Sequence, residues 1–271
     1  MEMKKVVFIT GASSGIGEAI ATRLSKRGYT VYGTSRYEVD DSNLNFTFLL
    51  LDVRNEESIH QAINKVIEIE GRIDVLINNA GLGMIGALED TTIEESKSIF
   101  NTNVFGMLAV CNEVIPYMRN KKSGIIINTS SIAGKIGLPY RGVYNATKHA
   151  IEGLSEALSM ELRPFNIKVI ILEPGDFRTN INSNRKISKK SLDPSSPYFV
   201  SFNRTREQVF EEVDTAWPPE KIARDVERII NYRYPRLRFI SAPLKQKLSI
   251  IMHKVLPARL FEYLISSFYK V

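Results

Sequence analysis

The chain opens on a short β-branched run, Lys4–Ile9, that passes directly into Thr10-Gly11-Ala12-Ser13-Ser14-Gly15-Ile16-Gly17 and then into helical spacing (Ile16, Ile20, Leu24) closed by Gly28. No other feature constrains the fold as strongly. A buried strand, a glycine-rich turn and a helix in that order begin a crossover unit, and the next strand returns parallel to the first. The alternation continues. Tyr29–Thr34 and Phe46–Leu51 are predicted as strands, and Glu56–Glu70 as an amphipathic helix (Ile59, Ile63, Val66, Ile67) stopped by Gly71. Ile73–Ile77 is a fourth strand, Thr92–Phe100 and Asn103–Arg119 are helical, Gly124–Asn128 is a fifth strand, Val143–Arg163 is a long helix and Lys168–Leu172 is a sixth strand. Near-continuous apolar strands separated by helices predict an α/β fold: a doubly wound parallel sheet covered on both faces, in one domain over residues 1–271.

The pattern breaks after the sixth strand. Asn180–Tyr198 is rich in Ser, Asn, Lys and Pro and has no periodicity, so an exposed, mobile loop is expected there, within a substrate loop and cap over 180–215. A helix from about Pro219 to Asn231 and a short strand near Leu237–Ile240 follow. Residues 243–271 form a helical extension of two amphipathic segments, Leu244/Leu248/Ile251/Val255 and Leu260/Phe261/Leu264/Ile265/Phe268, the second opened by Pro257.

Charge narrows the function. The net +6 is local: Tyr232–Val271 carries eight Lys/Arg and one Asp/Glu, and the other 28 basic and 29 acidic residues sum to −1. The body is therefore not a nucleic-acid binder, and the tail alone raises the question of an anionic partner. One cysteine, Cys111, lies in an apolar helical pattern and is expected to be a buried thiol, which suits a reducing compartment and a cytoplasmic location. The N-terminal apolar run is too short for a signal peptide, and no run approaches a membrane span.

A glycine-rich turn that opens a helix after the first strand is a natural pyrophosphate site, with free backbone N–H groups and the positive end of a helix dipole. Its spacing is Gly-x-x-x-Gly-x-Gly. At the end of the second strand stand Thr34-Ser35-Arg36. An acidic residue there would hold a ribose hydroxyl; an arginine suits a 2′-phosphate through bidentate bonds, with Ser13 adding a hydroxyl. Asp52 and Val53, past the third strand, would meet the adenine.

Tyr144 and Lys148 lie four residues apart in the long helix, on one face of it. An ammonium there favours the phenolate and lets the phenol exchange a proton near neutral pH. Tyr117 and Lys121 share the spacing, so the spacing alone decides nothing. Ser131 stands thirteen residues before Tyr144, just past a strand end, whereas Val104 holds the corresponding place before Tyr117. Ser130 could fill the same capping position. His60, His149 and His253 show no metal-ligand spacing, and no metal is expected.

Taken together, these pieces resemble the short-chain dehydrogenase/reductase family: Thr10-Gly11-Ala12-Ser13-Ser14-Gly15-Ile16-Gly17, Asp52, Asn78-Asn79-Ala80-Gly81, Asn103 in Asn103-Val104-Phe105-Gly106, Ser131, Tyr144-x-x-x-Lys148, and Pro174-Gly175 followed by Thr179. They cover roughly residues 4–180 in the family's order. The Trp217-Pro218-Pro219 helix start and the long C-terminus look most similar to the 17β-hydroxysteroid and retinol dehydrogenase branch. The resemblance implies Tyr144 as general acid/base, Lys148 as its tuner and holder of the nicotinamide ribose, Ser131 as the polariser of the substrate oxygen, and Asn103 as the organiser of water near the lysine. It also implies cofactor contacts from Gly11, Ser13, Ser14, Gly15, Ile16, Gly17, Arg36, Asp52, Val53, Asn79, Ala80, Gly81, Tyr144, Lys148, Pro174, Gly175 and Thr179, with Phe177 near the nicotinamide.

The expected activity is an NADP(H)-dependent oxidoreductase, NAD(H) being the alternative, acting on a hydrophobic alcohol or ketone that is lipid-, steroid- or retinoid-like. An NAD-linked or acyl-type ketoreductase and a non-catalytic dinucleotide-binding protein are the other readings. Phe199, Phe202, Val209, Phe210 and Trp217 either line an apolar substrate pocket or form the core of a small cap. The C-terminal helices either lie on an anionic membrane or pack on the parent domain or a second subunit. A homodimer or homotetramer is implied by the resemblance.

Overall fold

The structure is a computed structural model that describes residues 4–179 and 181–271. Asn180, where the expected substrate loop begins, lies outside the described residues, as do residues 1–3. The first unit is β1 (Val6–Ile9), α1 (Gly15–Lys26) and β2 (Thr30–Ser35), as the opening sequence requires. Then come β3 (Thr47–Leu50), α2 (Glu56–Glu70), β4 (Val75–Asn78), a two-residue strand β5 (Met84–Ile85), α3 (Ile93–Phe100) and α4 (Gly106–Lys121). β6 (Gly124–Thr129), α5 (Gly142–Leu162) and β7 (Ile167–Pro174) complete the region read most clearly from sequence. The rest contains α6 (Ile181–Asn184), β8 (Lys186–Ile187), α7 (Phe199–Asp214), α8 (Glu220–Asn231), β9 (Arg238–Ser241), α9 (Leu244–Val255) and α10 (Ala258–Tyr269).

Among the described residues seven strands form one parallel sheet in the order β3-β2-β1-β4-β6-β7-β9. Successive side chains of β1 go to opposite faces: Val6 and Phe8 join the core under α2 and α4, Val7 and Ile9 the core under α1 and α8. Both faces are buried, which is why the strands are apolar without alternation. The order reverses at β1, which pairs with β2 on one side and β4 on the other. A crevice at the carboxyl ends of the strands is the expected ligand site.

Local chemistry sets the elements. α2 starts where the Asn55 side chain accepts from Ser58 N at 3.0 Å and ends at Gly71, whose φ is 68°. Its Ile59, Ala62, Ile63 and Val66 are buried, and each large apolar side chain so removed from water contributes about 1.5–3 kcal/mol. α3 carries a complete capping box between Thr92 and Glu95.

Two expectations need correction, and a third, left open between two readings, is narrowed. The helix expected from Asn103 begins at Gly106, because Asn101–Phe105 form a π-helical turn that joins α3 to α4. A widened turn of this kind is not visible as periodicity. The stretch expected to be an exposed loop is not exposed throughout. β8 pairs in parallel with β5, and Ser188, Ser191 and Ser196 are buried around Asp90. Asp90 Oδ2 accepts from Ser191 Oγ at 3.1 Å and Ser196 Oγ at 2.7 Å, and Asp90 O accepts from Ser188 Oγ at 2.8 Å. Serines that read as loop composition are here the partners of a buried carboxylate. Finally, of the aromatic cluster after the loop, Phe202 and Val209 lie in α7 and form a core with Phe261 and Tyr269 of α10, with Phe210 packed against it. Trp217 packs edge-on against Phe177. Phe202, Val209 and Phe210 thus share a core with α10, whereas Trp217 packs on the core under α1 and α8.

The tail is divided. Ile250, Phe261 and Tyr269 are buried on the body of the protein, whereas Leu244, Leu248, Ile251, Val255, Leu260, Tyr263 and Phe268 are exposed. Among the described residues, no helix is long and apolar enough to cross a membrane.

Candidate active site

One cavity of about 310 Å³ runs along the carboxyl ends of the strands. It is lined by Gly11, Ser13, Ser14, Gly15 and Ile16 of the glycine-rich turn, with Arg36 and Val53, and by Ser131, Tyr144, Lys148, Pro174, Gly175, Phe177 and Thr179. Asn79, Ala80 and Gly81 line it as well.

The turn is held by close backbone approach. Gly11 has φ +68°, and a Cβ on Gly17 would stand 2.1 Å from Gly11 O and 2.5 Å from Asn79 Nδ2. Asn79 fixes the turn by donating from Nδ2 to Gly11 O at 2.8 Å, while Thr10 Oγ1 accepts from Asn79 N at 3.0 Å and Ala80 N at 3.1 Å. Ser14 caps α1 without using its hydroxyl, which leaves that hydroxyl and the first-turn N–H groups toward the cavity.

At the end of β2, Arg36 is exposed, lines the cavity and lies 5.6 Å from the Tyr37 ring. Asp52 is engaged: Arg54 Nε donates to its Oδ1 at 2.9 Å and Arg54 Nη2 to its Oδ2 at 2.5 Å. The Arg54 bonds hold the Asp52 carboxyl below its ordinary range, and Arg36 adds to this. Val53 and Leu51 line the cavity; the Asp52 carboxylate is turned to Arg54.

Tyr144 and Lys148 project from the first turns of α5. Burial pushes the Tyr144 phenol up, opposed by the neighbouring Ser131 hydroxyl and by the guanidinium groups of Arg185 and Arg141. Lys148 is buried, donates to Thr129 O at 2.8 Å and lies 5.7 Å from the Tyr144 ring centroid. Burial lowers it to about 8 against the ordinary 10.5. Ser131 also caps the following turn, its Oγ accepting from Ala133 N at 3.1 Å, and faces Pro174 O at 3.5 Å. Ser130 is buried and turned to Lys148 O at 3.4 Å. The two candidate serines are thereby separated: Ser131 faces the tyrosine.

Asn103 is buried in the π-helical turn and does not line the cavity. Its Oδ1 accepts from Leu82 N at 2.7 Å, and its Nδ2 donates to Leu82 O at 2.9 Å and Thr147 Oγ1 at 3.2 Å. It ties the strand-end segment after β4 to the helix that carries Tyr144. Gly175 and Thr179 are set by neighbours. Gly175 N donates to Ser241 O at 2.9 Å, and a Cβ on Gly15 would meet Thr179 Cβ at 3.1 Å.

The sequence missed Arg141, Asp176 and Arg185, all of which line the cavity. Arg141 could have been found by its place three residues before Tyr144. Arg185 had no local signal, because a two-residue strand places it. Gln246 of α9 was also missed; its Oε1 accepts from Asp176 N at 3.1 Å and its Nε2 donates to Asp176 Oδ2. The cavity's nicotinamide-side loop is thus held by the C-terminal extension.

The geometry fits a nicotinamide dinucleotide. The glycine cradle admits no Cβ at Gly17, the hydroxyl of the α1 cap residue is free, and Thr129 Oγ1, buried in the cavity wall, has no partner among the described residues. His60 bonds Glu113 at 2.8 Å and His149 bonds Asn145 O at 2.9 Å, while His253 packs on Phe261, so the three histidines are apart from the site and from each other. Cys111 is buried, receives Asn78 Nδ2 at 3.1 Å and is pushed up to about 12 by burial.

Comparison with known proteins agrees with this geometry. A short chain dehydrogenase family profile matches residues 5–190. The chain is 42% identical over 267 residues to a 3-ketodihydrosphingosine reductase of Bacteroides thetaiotaomicron, covering 98% of each. A short-chain dehydrogenase of Streptomyces avermitilis superposes with a TM-score of 0.84 at 34% identity, covering 98% of both chains. ElxO with NADP bound superposes with a TM-score of 0.72 at 28% identity, covering 89% of this chain and 97% of that one.

Proposed function

The chain belongs to the short-chain dehydrogenase family, and from that premise we propose that it is an NADP(H)-dependent reductase of a long-chain, lipid-like ketone, with Tyr144 as proton donor. Membership makes it an oxidoreductase of CH–OH or keto groups that uses NAD(P)(H). The single observation that carries the finer reading is that Tyr144, Ser131 and Lys148 line one cavity that is continuous with the glycine-lined groove.

When bound, the dinucleotide supplies the hydride; the chain's residues supply the rest. Ser131 can donate to the ketone oxygen and so orient it beside Tyr144. Tyr144, whose burial favours the protonated phenol, hands its proton to that oxygen as charge develops on it. Lys148 stands between the tyrosine ring and the Thr129 carbonyl, where its ammonium stabilises the phenolate left behind. Asn103 acts through Leu82 and Thr147 and is a positioning residue.

Arg36 supports NADP(H). It lines the cavity at the end of β2 where no carboxylate stands, and the nearby Asp52 is neutralised by Arg54. Arg36→Asp is expected to move the ratio of kcat/KM for NADPH over NADH by about 10- to 100-fold towards NADH. An unchanged ratio would remove the assignment. The lipid-like substrate is supported by the relative's name and by apolar lining from Leu82, Met84, Leu138, Phe177, Ile181 and Val213. Steady-state reduction of keto-lipids of increasing chain length should show kcat/KM rising with length. Turnover confined to small polar ketones would refute it.

A further inference from the structure

Two arginines face the reacting end of the cavity, and the proton transfer uses neither. Arg141 precedes α5 and is steered by the C-terminal helix: its guanidinium lies 5.0 Å over the Tyr269 ring. Arg185 is fixed by its place one residue before β8, where Lys186 N donates to Gly83 O at 2.9 Å. Gly83 leaves room for it, since a Cβ there would stand 3.3 Å from Arg185 Nε. Its guanidinium lies 5.5 Å over the Phe210 ring.

These ring contacts hold the groups but do not satisfy them. Arg141 Nε and Nη2 and Arg185 Nη1 are buried and have no hydrogen-bond partner among the described residues. A guanidinium stays charged, so donors left this way are costly unless something completes them. The nearest acids do not. Asp176 takes the Gln246 amide, and Glu212 is itself pushed towards its protonated form, chiefly by burial. Both arginines line the same cavity as Ser131 and Tyr144, so what they hold shares that cavity with the reacting ketone.

We propose that the substrate carries an oxyanion group, a carboxylate or a phosphate, which Arg141 and Arg185 grip together while its ketone faces Ser131 and Tyr144. The inference rests on the ketone-reductase reading above and narrows it from an apolar ketone to one with an anionic head. Planar guanidinium forks match both oxyanions, and a pair converging from a helix start and a strand end fixes orientation as well as charge. The apolar lining then takes the chain that the head group carries.

The test uses the full chain with NADPH and four ketones that share one alkyl chain and differ at the head: carboxylate, phosphate, neutral amide and primary amine. The wild type is expected to favour the carboxylate or the phosphate over the amide by about 10- to 100-fold in kcat/KM, and the two anionic arms identify which. In Arg185→Gln that anion-to-amide ratio should fall at least about tenfold, and Arg185→Lys should retain part of it. Equal wild-type efficiency for anionic and neutral ketones, a preference for the amine, or a Gln variant whose loss lies in KM for NADPH would overturn the inference while leaving the reductase reading intact. Binding reads the site without turnover. With NADPH present, a non-reducible acid should raise the Tm more than its matched amide, and less so in Arg185→Gln. No difference would overturn the proposal even if no ketone in the set were reduced, the result that would refute the reductase reading.

Discussion

Two tyrosine–lysine pairs with the same four-residue spacing lie in consecutive long helices, and their surroundings differ in every respect that bears on chemistry. Tyr117 and Lys121 close α4 and find ordinary partners: Lys121 Nζ donates to Asp74 at the amino end of β4, and Tyr117 OH to Asn64 Oδ1 of α2 at 3.2 Å. Tyr144 and Lys148 open α5 at the carboxyl end of β6, with Ser131 lining the same cavity and Thr129 O on the ammonium. The sheet decides between them. Ligand crevices form beyond the carboxyl ends of parallel strands, so one pair faces a cavity and the other a rim of ordinary polar contacts.

The largest effect should come from removing the phenol that faces the cavity. Tyr144→Phe keeps the ring and its packing and deletes the proton donor. We expect kcat for ketone reduction to fall by about 10²- to 10⁴-fold, the usual worth of a placed general acid. NADPH binding, read by quenching of cofactor fluorescence, should stay within about threefold. Activity within tenfold of wild type would mean that the proton comes from elsewhere and that the two pairs do not differ as described.

That difference was half legible beforehand. The spacing of Ser131 to Tyr144 pointed to the pair that lines the cavity, and the strand–turn–helix opening placed the glycine cradle, because both depend on local sequence periods of a helix or a strand end. The parallel sheet was legible for the same reason. The substrate side was not. Arg185 reaches the site through β8, whose two residues pair with β5 and are too few to show a period. Arg141 is steered by Tyr269, more than a hundred positions away, and the Pro174–Asp176 loop by Gln246. The serines around Asp90 carried a loop composition because the partner that buries them lies about a hundred residues earlier. Tertiary contacts at such separation leave no mark in a window of sequence.

A smaller effect separates the lysines by pH. In the cofactor-free chain burial lowers Lys148 to about 8, whereas the unfolded chain keeps the ordinary 10.5. Between those values the unfolded state binds a proton that the folded state has released, so Lys148's contribution to stability rises with pH through the window; below about 8 the charged, buried ammonium costs the fold its full penalty. Lys148→Met removes the group. Urea unfolding at pH 7.5 and pH 9.5 should show wild type gaining about 2 kcal/mol relative to the variant between the two. A constant difference would mean that the Lys148 ammonium is as well solvated as a surface lysine.

The smallest effect belongs to the other tyrosine. Tyr117→Phe deletes one hydroxyl whose partner, Asn64, is half-buried and also bonded to His60 Nε2 at 2.7 Å. A hydrogen bond of that kind contributes about 0.5–1.5 kcal/mol, and Asn64 Oδ1 can turn to water once the phenol is gone. We therefore expect a loss of at most about 1 kcal/mol in urea unfolding and no change in kcat or KM beyond twofold. The ring still packs against the core beside α2, so the fold keeps the apolar part of the side chain. A tenfold loss of turnover in Tyr117→Phe, with stability intact, would show that spacing on a helix carries chemistry without the strand-end cavity, because nothing else links Tyr117 to the proton transfer.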